Sequence, residues 1–287
     1  MPTLLDYRRR IRSVKSTQQV TRAMKFVSAA RLRRAQEKAI EARPYAAQIT
    51  EMVRSAAARM EAPQHPLLAR RPEQRVLLLL ATGDRGLAGA FNANAVRRAS
   101  EFLRSHRDLQ TQIIPIGRKG RDAARRQKWN VAAEYTGFTA KADFARAKEI
   151  AAKVIELYEG NHTDAVYLLF NEFKSVMTQK MVFEKLLPID PAELSKKGAS
   201  SQVDYIYEQP PEQLLQGLLP RYIAARIYRM LADSSAAEHA ARMTAMDSAT
   251  NNAGDLIESL TLQMNKIRQA AITKEIIEVV SGASWSA

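Results

Sequence analysis

A stripe near the C-terminus constrains this chain more than any other feature. Met243, Met246, Thr250, Ala253, Ile257, Leu260, Met264, Ile267 and Ala271 recur at spacings that alternate strictly between three and four residues. A seam of this kind, held over four heptads, is the pattern of a left-handed coiled coil. A helix lying on a globular core usually ends after about 8–20 residues. Here the helical pattern runs from about Pro211 to Ser281. That is roughly 70 residues, or on the order of 100 Å at about 1.5 Å of rise each. No core that a 287-residue chain can build is that long, so the helix is expected to project and to need a partner helix.

The N-terminal segment is the available partner. From Leu4 to about Met60 it contains no glycine and is rich in Ala, Arg, Gln, Glu and Met, all good helix formers. Its stripe is Ile11, Val14, Gln18, Thr21, Met24, Ser28, Leu32 and Ala35. Small and polar seam residues reduce packing energy but let two helices approach closely. Pairing the two ends of one chain makes an antiparallel coiled coil. Pro44 predicts a helix to about Arg43, a bend and a further helical stretch, because proline removes a backbone donor and clashes with the preceding turn. Pro63, Pro66 and Pro72 mark Ala62–Pro72 as a linker.

The middle reads differently. Val76–Ala81 is a short apolar run that suits a buried strand. Gln112–Ile116 is a second, placed at an edge or strand end by Pro115. Ala165–Phe170 is a third, and Ser175–Leu187 predicts one or two more. Ala93–His106 and Phe144–Tyr158 read as helices, and Asp190–Gln202 as a loop. Strands alternating with helices imply a mostly parallel sheet covered by helices.

The net charge is +14, from 44 Lys and Arg against 30 Asp and Glu. Residues 1–43 carry +9 of it, and residues 212–287 carry −1. The dense run Arg8, Arg9, Arg10, Arg12 and Lys15 could bind nucleic acid, meet an acidic protein or form a solvated helix face. Nucleic-acid readers bring stacking aromatics or a recognisable motif, whereas residues 1–43 hold only Tyr7 and Phe26. A basic coiled-coil nucleic-acid binder remains the alternative reading. The chain has no cysteine, which excludes a disulfide scaffold, a thiol nucleophile and a Cys-ligated metal. Its longest apolar run is far short of the ~20 residues that span a bilayer, and its start lacks a signal-peptide core. Membrane contact is therefore expected only through a partner.

The first strand leads into Gly83, Asp84, Arg85, Gly86, Leu87, Ala88 and Gly89. The glycine spacing is neither G-x-G-x-x-G nor a phosphate loop ending in Lys. The turn is read as structural, with Gly83, Gly86 and Gly89 where φ is positive or backbones approach. A nucleotide-binding enzyme is the competing reading of this turn, and it predicts protection against heat by ATP or NAD. His65, His106, His162 and His239 are scattered without metal-ligand spacing. His239 falls on the backward extension of the seam as a packed histidine. Glu275 and Glu278 form an i, i+3 pair without a pocket around them. No catalytic residue, cofactor or metal is expected. The expected fold is α+β, a long antiparallel coiled coil of N- and C-terminal helices with an inserted α/β domain that is Rossmann-like and non-nucleotide-binding. The expected segments are helix 1–62, linker 63–74, α/β domain 75–209 and helix 210–287.

Three stretches resemble one family. They are Ile11–Gln36, with Ser13–Met24 and Phe26–Ala30; Asp84–Asn92; and Glu238–Ala283, with Ala240–Met246, Ala249–Ala253, Arg268–Glu275, Glu278 and Gly282. Together with two long terminal helices around an α/β middle, they resemble the gamma subunit of the F-type ATP synthase, its central rotor shaft, over essentially the whole chain. Trp285 departs from the small residue usual near the tip.

The resemblance implies a non-catalytic subunit, one copy per complex. It would stand inside a hexamer of alpha and beta subunits, with epsilon and the c-ring as further partners. It would couple c-ring rotation to the cycling of the beta subunits, which carry the ATP chemistry. Met24 and Lys25 would face beta's acidic lever. Arg268 and Gln269 would touch a beta loop, with Thr273, Glu275 and Glu278 further along. Tyr205, Tyr207 and Glu208 would belong to the foot that contacts the c-ring and epsilon. The implied location is the cytoplasmic side of a bacterial inner membrane, as a peripheral protein. A bacterial source is expected from the lack of a transit-type leader.

Overall fold

The computed structural model describes residues 3–58, 65–137, 143–189 and 210–285. The chain divides into two compact units. One comprises residues 1–28 with 243–287, the other residues 29–242. Two helices contribute to both, α1 (Leu4–Ala58) and α5 (Pro211–Trp285).

In the first unit α1 and α5 run antiparallel. Lys25 pairs with Asp247 at 2.5 Å. The Thr21 and Thr250 hydroxyls lie 2.8 Å apart, and the Gln18 amide donates to the Thr250 carbonyl at 3.4 Å. Partner numbers fall on one helix as they rise on the other, which fixes the direction. Thr21, Ser28, Met246, Ala253 and Leu260 are buried, so the expected seam is the contact line. On α1 the stripe also takes in Lys25, which is half-buried beside Met24.

The second unit is a four-stranded sheet with helices on both faces. Its strands are β1 (Arg75–Ala81), β2 (Gln110–Ile116), β3 (Ala165–Phe173) and β4 (Gln179–Leu187), in the order β2-β1-β3-β4. β1 is parallel to β2 and β3, and β4 closes the edge antiparallel to β3. Pro115 does sit in an edge strand. Ile113 N–H donates outward to the Asn130 carbonyl, and the Pro115 carbonyl accepts from Tyr135. Positions 113 and 115 thus turn their backbone groups away from β1, and proline's missing donor costs the ladder nothing.

Leu77, Leu79, Ile114, Ile116, Val166, Leu168 and Phe170 form one face of the sheet. They are covered by α4 (Phe144–Glu159), by Ala46, Ile49, Val53 and Ala56 of α1, and by Leu215–Leu231 of α5. The opposite face, with Val76, Leu78 and Leu80, packs on Ala95, Ala99 and Phe102 of α2 (Phe91–Ser105). Each fully buried leucine contributes roughly 1.5–3 kcal/mol. The compact unit is therefore wider than segment 75–209, because the long helices supply its cover.

Two details differ from expectation. Pro44 does not interrupt α1, which is a single helix of 55 residues. Proline forfeits one i→i−4 bond there, and the buried residues Ala42, Ala46 and Ile49 hold the turns on either side in place. A nine-residue helix, α3 (Arg118–Arg126), follows β2 unannounced. Its buried face is only Gly120, Ala123 and Ala124, too slight to show as an apolar stripe.

Asp164 ties the starts of β1 and β3 together. It is 2% exposed. It accepts from Arg75 N–H at 2.8 Å, from Gln74 N–H at 3.3 Å and from the Arg75 guanidinium at 2.7 Å. The hydrogen bonds from Arg75 hold its carboxyl below the usual range. A depressed folded-state value means the bond network stabilises above the unfolded value of 3.8 and is lost as pH falls through the folded one. Asp164→Ala is expected to cost about 2–4 kcal/mol in urea unfolding at neutral pH. The deficit relative to wild type should shrink in acid.

Candidate functional site

Two places gather the residues that the sequence singles out. The first is the turn after β1. Thr82 prolongs the ladder, its N–H donating to the Ile116 carbonyl at 2.8 Å. Its hydroxyl accepts from Gly120 N–H at 2.8 Å. Asp84 is buried, and one carboxylate oxygen accepts from the backbone of Arg118 at 3.1 Å and of Gly137 at 2.9 Å. A helix N-terminus readily binds an anion, and at α3 the chain's own Asp84 takes that place. Asn92 at the head of α2 accepts from Gly83 N–H at 2.8 Å and donates to the Arg85 carbonyl at 3.3 Å.

The glycines divide differently from the expectation. Positive φ occurs at Leu87 (62°) and Gly89 (54°), not at Gly83 or Gly86. Gly83 is needed for room: a Cβ there would come within 2.7 Å of the Glu238 carboxylate carbon.

Glu238 and Arg242 are the residues that sequence reasoning passed over. Both are buried on α5 and form an ion pair at i, i+4. Arg242 also donates to the Gly86 carbonyl at 3.3 Å and to the Arg85 carbonyl at 3.4 Å. One guanidinium thus clasps the turn onto the helix. The i, i+4 Glu–Arg spacing was the available signal, but burial is what gives it weight. Burial pushes the Glu238 carboxyl up, against the attraction of Arg242. His239 is packed as expected, its Nδ1 3.4 Å from Arg242. Burial, then the charges of Arg242 and Arg31, push its imidazole down to about 4, which keeps it neutral at physiological pH.

The second place is the end of α5 in the other unit. The antiparallel register that pairs Gln18 with Thr250 runs out near Arg268, because α1 starts at Leu4. Every residue from 268 to 281 is exposed. Arg268, Gln269, Thr273, Glu275 and Glu278 are all on this stretch. Glu278 meets Lys274 at 3.5 Å, and Arg268 forms no ion pair among the described residues. Ile272, Ile276, Ile277, Val279 and Val280 are exposed beside them. So many bare aliphatic side chains on one segment mark a protein-contact surface. Met24 and Lys25 lie far along the seam from this end, and the Lys25 ammonium is already engaged by Asp247. Tyr205, Tyr207 and Glu208 lie outside the described residues. Among the described residues, no cluster of acidic and histidine side chains could hold a metal. Among them too, no helix is long and apolar enough to cross a membrane.

A family model described as ATP synthase matches residues 3–284. The chain is 52% identical to the ATP synthase gamma chain of Solibacter usitatus (strain Ellin6076), with 99% of each chain covered. It is 47% identical to that of Pelotomaculum thermopropionicum, again over 99% of each. Among solved structures it resembles a chain in the central stalk and c-ring of the Tetrahymena thermophila mitochondrial ATP synthase. That match has a TM-score of 0.62, 24% identity and coverage of 80% of this chain and 99% of that one. It also resembles a chain of the Euglena gracilis mitochondrial ATP synthase, described with OSCP, F1 and c-ring. Here the TM-score is 0.68, the identity 18% and the coverage 98% and 93%.

Proposed function

Since this chain belongs to the ATP synthase gamma-chain family, we propose that it is the central-stalk rotor subunit, coupling rotation of a c-ring to the conformational cycle of catalytic beta subunits. The observation that carries this reading is the stretch of α5 beyond Arg268, an exposed helix with a row of bare aliphatic residues and no partner helix among the described residues. Enclosed by a ring of subunits, such a helix is buried; alone, it has no reason to stay apolar. No observation favours the nucleic-acid alternative.

The mechanism follows from asymmetry. Two unlike helices inside a pseudo-threefold ring touch three chemically equal sites differently. Each orientation must favour one beta conformation over the others, since only differential contact shifts an equilibrium. The chain itself does no bond chemistry in this reading. Arg268 and Gln269 contact a beta loop, and Thr273, Glu275 and Glu278 extend that contact. Met24 faces beta's acidic lever at a separate level, far along the shaft. Lys25 acts there only by sharing the charge that Asp247 already neutralises. Tyr205, Tyr207 and Glu208 form the foot on the c-ring and epsilon. One copy serves each alpha–beta hexamer, held peripherally on the cytoplasmic side of the inner membrane.

Reconstitution of this chain with the alpha and beta subunits tests the reading. A complex with one copy of the chain, and ATPase activity dependent on it, is expected; absence of any such complex overturns it. Within that complex Arg268→Ala should lower ATP synthesis coupled to proton flow about fivefold, the effect of losing roughly 1 kcal/mol of differential contact. The melting of the free chain should stay within about 0.5 kcal/mol of wild type, as for an exposed residue. Equal losses of assembly and coupling would remove Arg268 from the contact.

A further inference from the structure

The unit of residues 29–242 contains a recess of about 460 Å³, bounded by α1, α5, the turn after β1 and the start of α3. Arg31, Arg34, Lys38, Arg85, Arg118 and Arg242 line it. Only two carboxylates share the space, and both are spoken for. Asp84 accepts from two backbone N–H groups and pairs with Arg118 at 3.9 Å, and Glu238 pairs with Arg242. Arg31, Arg34 and Arg85 form no ion pair among the described residues, whereas Arg33 on the same helix does pair, with Glu37. We propose that this recess binds a phosphate-class oxyanion, either free phosphate or pyrophosphate or the polyphosphate tail of a nucleotide.

Charge, shape and chemistry support the assignment together. Cations from four separate elements converge, so they repel one another, and partial shielding from water strengthens that repulsion. A multivalent anion in their midst reverses its sign. Guanidinium groups present forked donors that match phosphate oxygens two at a time, which a lysine-rich surface does not. The volume exceeds what a chloride ion fills and suits one or a few linked phosphates. His239 at the recess wall remains neutral, in part because of Arg242 and Arg31, so the positive field is already felt by a side chain inside it. The turn is not acting as a nucleotide fingerprint in this assignment. Asp84 occupies the helix N-terminus, and the anion is held by side chains instead.

The test is titration calorimetry on the full chain at constant ionic strength. The probes are inorganic phosphate, pyrophosphate, ATP, adenosine, sulfate and a glutamate-rich peptide. Pyrophosphate is expected to bind once per chain and to raise the melting temperature as its concentration passes the dissociation constant. The double variant Arg31→Gln/Arg34→Gln should weaken that binding at least tenfold. It should melt no lower than wild type without anion, since both residues are exposed and mutually repelled. Arg97→Gln/Arg98→Gln on α2 should leave binding unchanged. ATP binding as well as pyrophosphate, with adenosine silent, assigns the anion to a nucleotide tail; pyrophosphate alone assigns it to the free ion. Three results overturn the proposal: equal effects from sulfate or added chloride, undiminished binding by the Arg31/Arg34 variant, or binding of the acidic peptide alone.

Discussion

Arg242→Ala is expected to lower the stability of the protein by about 3–5 kcal/mol, the usual cost of stranding one member of a buried ion pair. The guanidinium holds the Glu238 carboxylate and two carbonyls of the turn at once. Its removal leaves all three short of a donor in a dry setting. Urea unfolding should show the loss as a lower midpoint. Arg242→Lys should recover less than half of it, because a single ammonium cannot span carboxylate and carbonyls. The cost should not add to that of Glu238→Ala. With both gone, no charge is stranded, and the double variant should lose less than the sum. Gly83→Ala provides a separate check: it should cost about 2 kcal/mol alone and almost nothing beside Glu238→Ala, since the clash is with that carboxylate. The pH dependence has a definite sign. Glu238 binds its proton more readily in the folded state than at its unfolded value of 4.5. Its contribution is therefore complete below that value and is lost as pH rises through the raised one. Glu238→Gln should flatten that slope.

Leu260→Asp should be nearly as costly, but in the other unit. Leu260 is buried on the seam, at the level of Ile11 in the register that pairs Thr250 with Thr21. A carboxylate there loses water at a seam position that buries an apolar side chain, for an expected loss of about 3 kcal/mol. The sheet unit has its own core, so near-ultraviolet signals from Trp129 and the Phe102–Tyr167–Phe183 cluster should survive to their usual temperature. Helical ellipticity should fall earlier. Coupled ATP synthesis should be abolished in the assembled complex. A single coincident transition at the wild-type temperature would show that the seam contributes no stability of its own.

How much of this was legible in the residues depends on the range of the contact involved. The seam from Met243 to Leu260 could be read because its period repeats within one helix. β1 and β3 were visible as runs of apolar residues because both faces of a parallel strand are buried. α3 was invisible because glycine and two alanines pack against the sheet as well as leucines do, yet leave no stripe. The second role of the long helices was hidden for a related reason. Ala46, Ile49 and Val53 continue the same spacing as Ser28 and Leu32, and nothing in a period of three and four tells a helix partner from a sheet partner. At the turn, the glycine pattern located the joint but not its fastening. Glu238 and Arg242 are some 150 residues away in sequence, and only their burial distinguishes them from a solvated pair.

The threonine pair in the seam has a mechanical consequence. A two-helix rod under torsion can relieve load by sliding one strand along the other, and an all-aliphatic seam resists this weakly because one leucine replaces another. Thr21 and Thr250 meet hydroxyl to hydroxyl. A slip of one heptad would break that bond and leave each hydroxyl only the carbonyl of its own helix, Gln18 for Thr21 and Met246 for Thr250, at about 0.5–1.5 kcal/mol for the bond lost. The pair works as a key in a keyway. It gives up some cohesion, and the rod twists as one body instead of creeping.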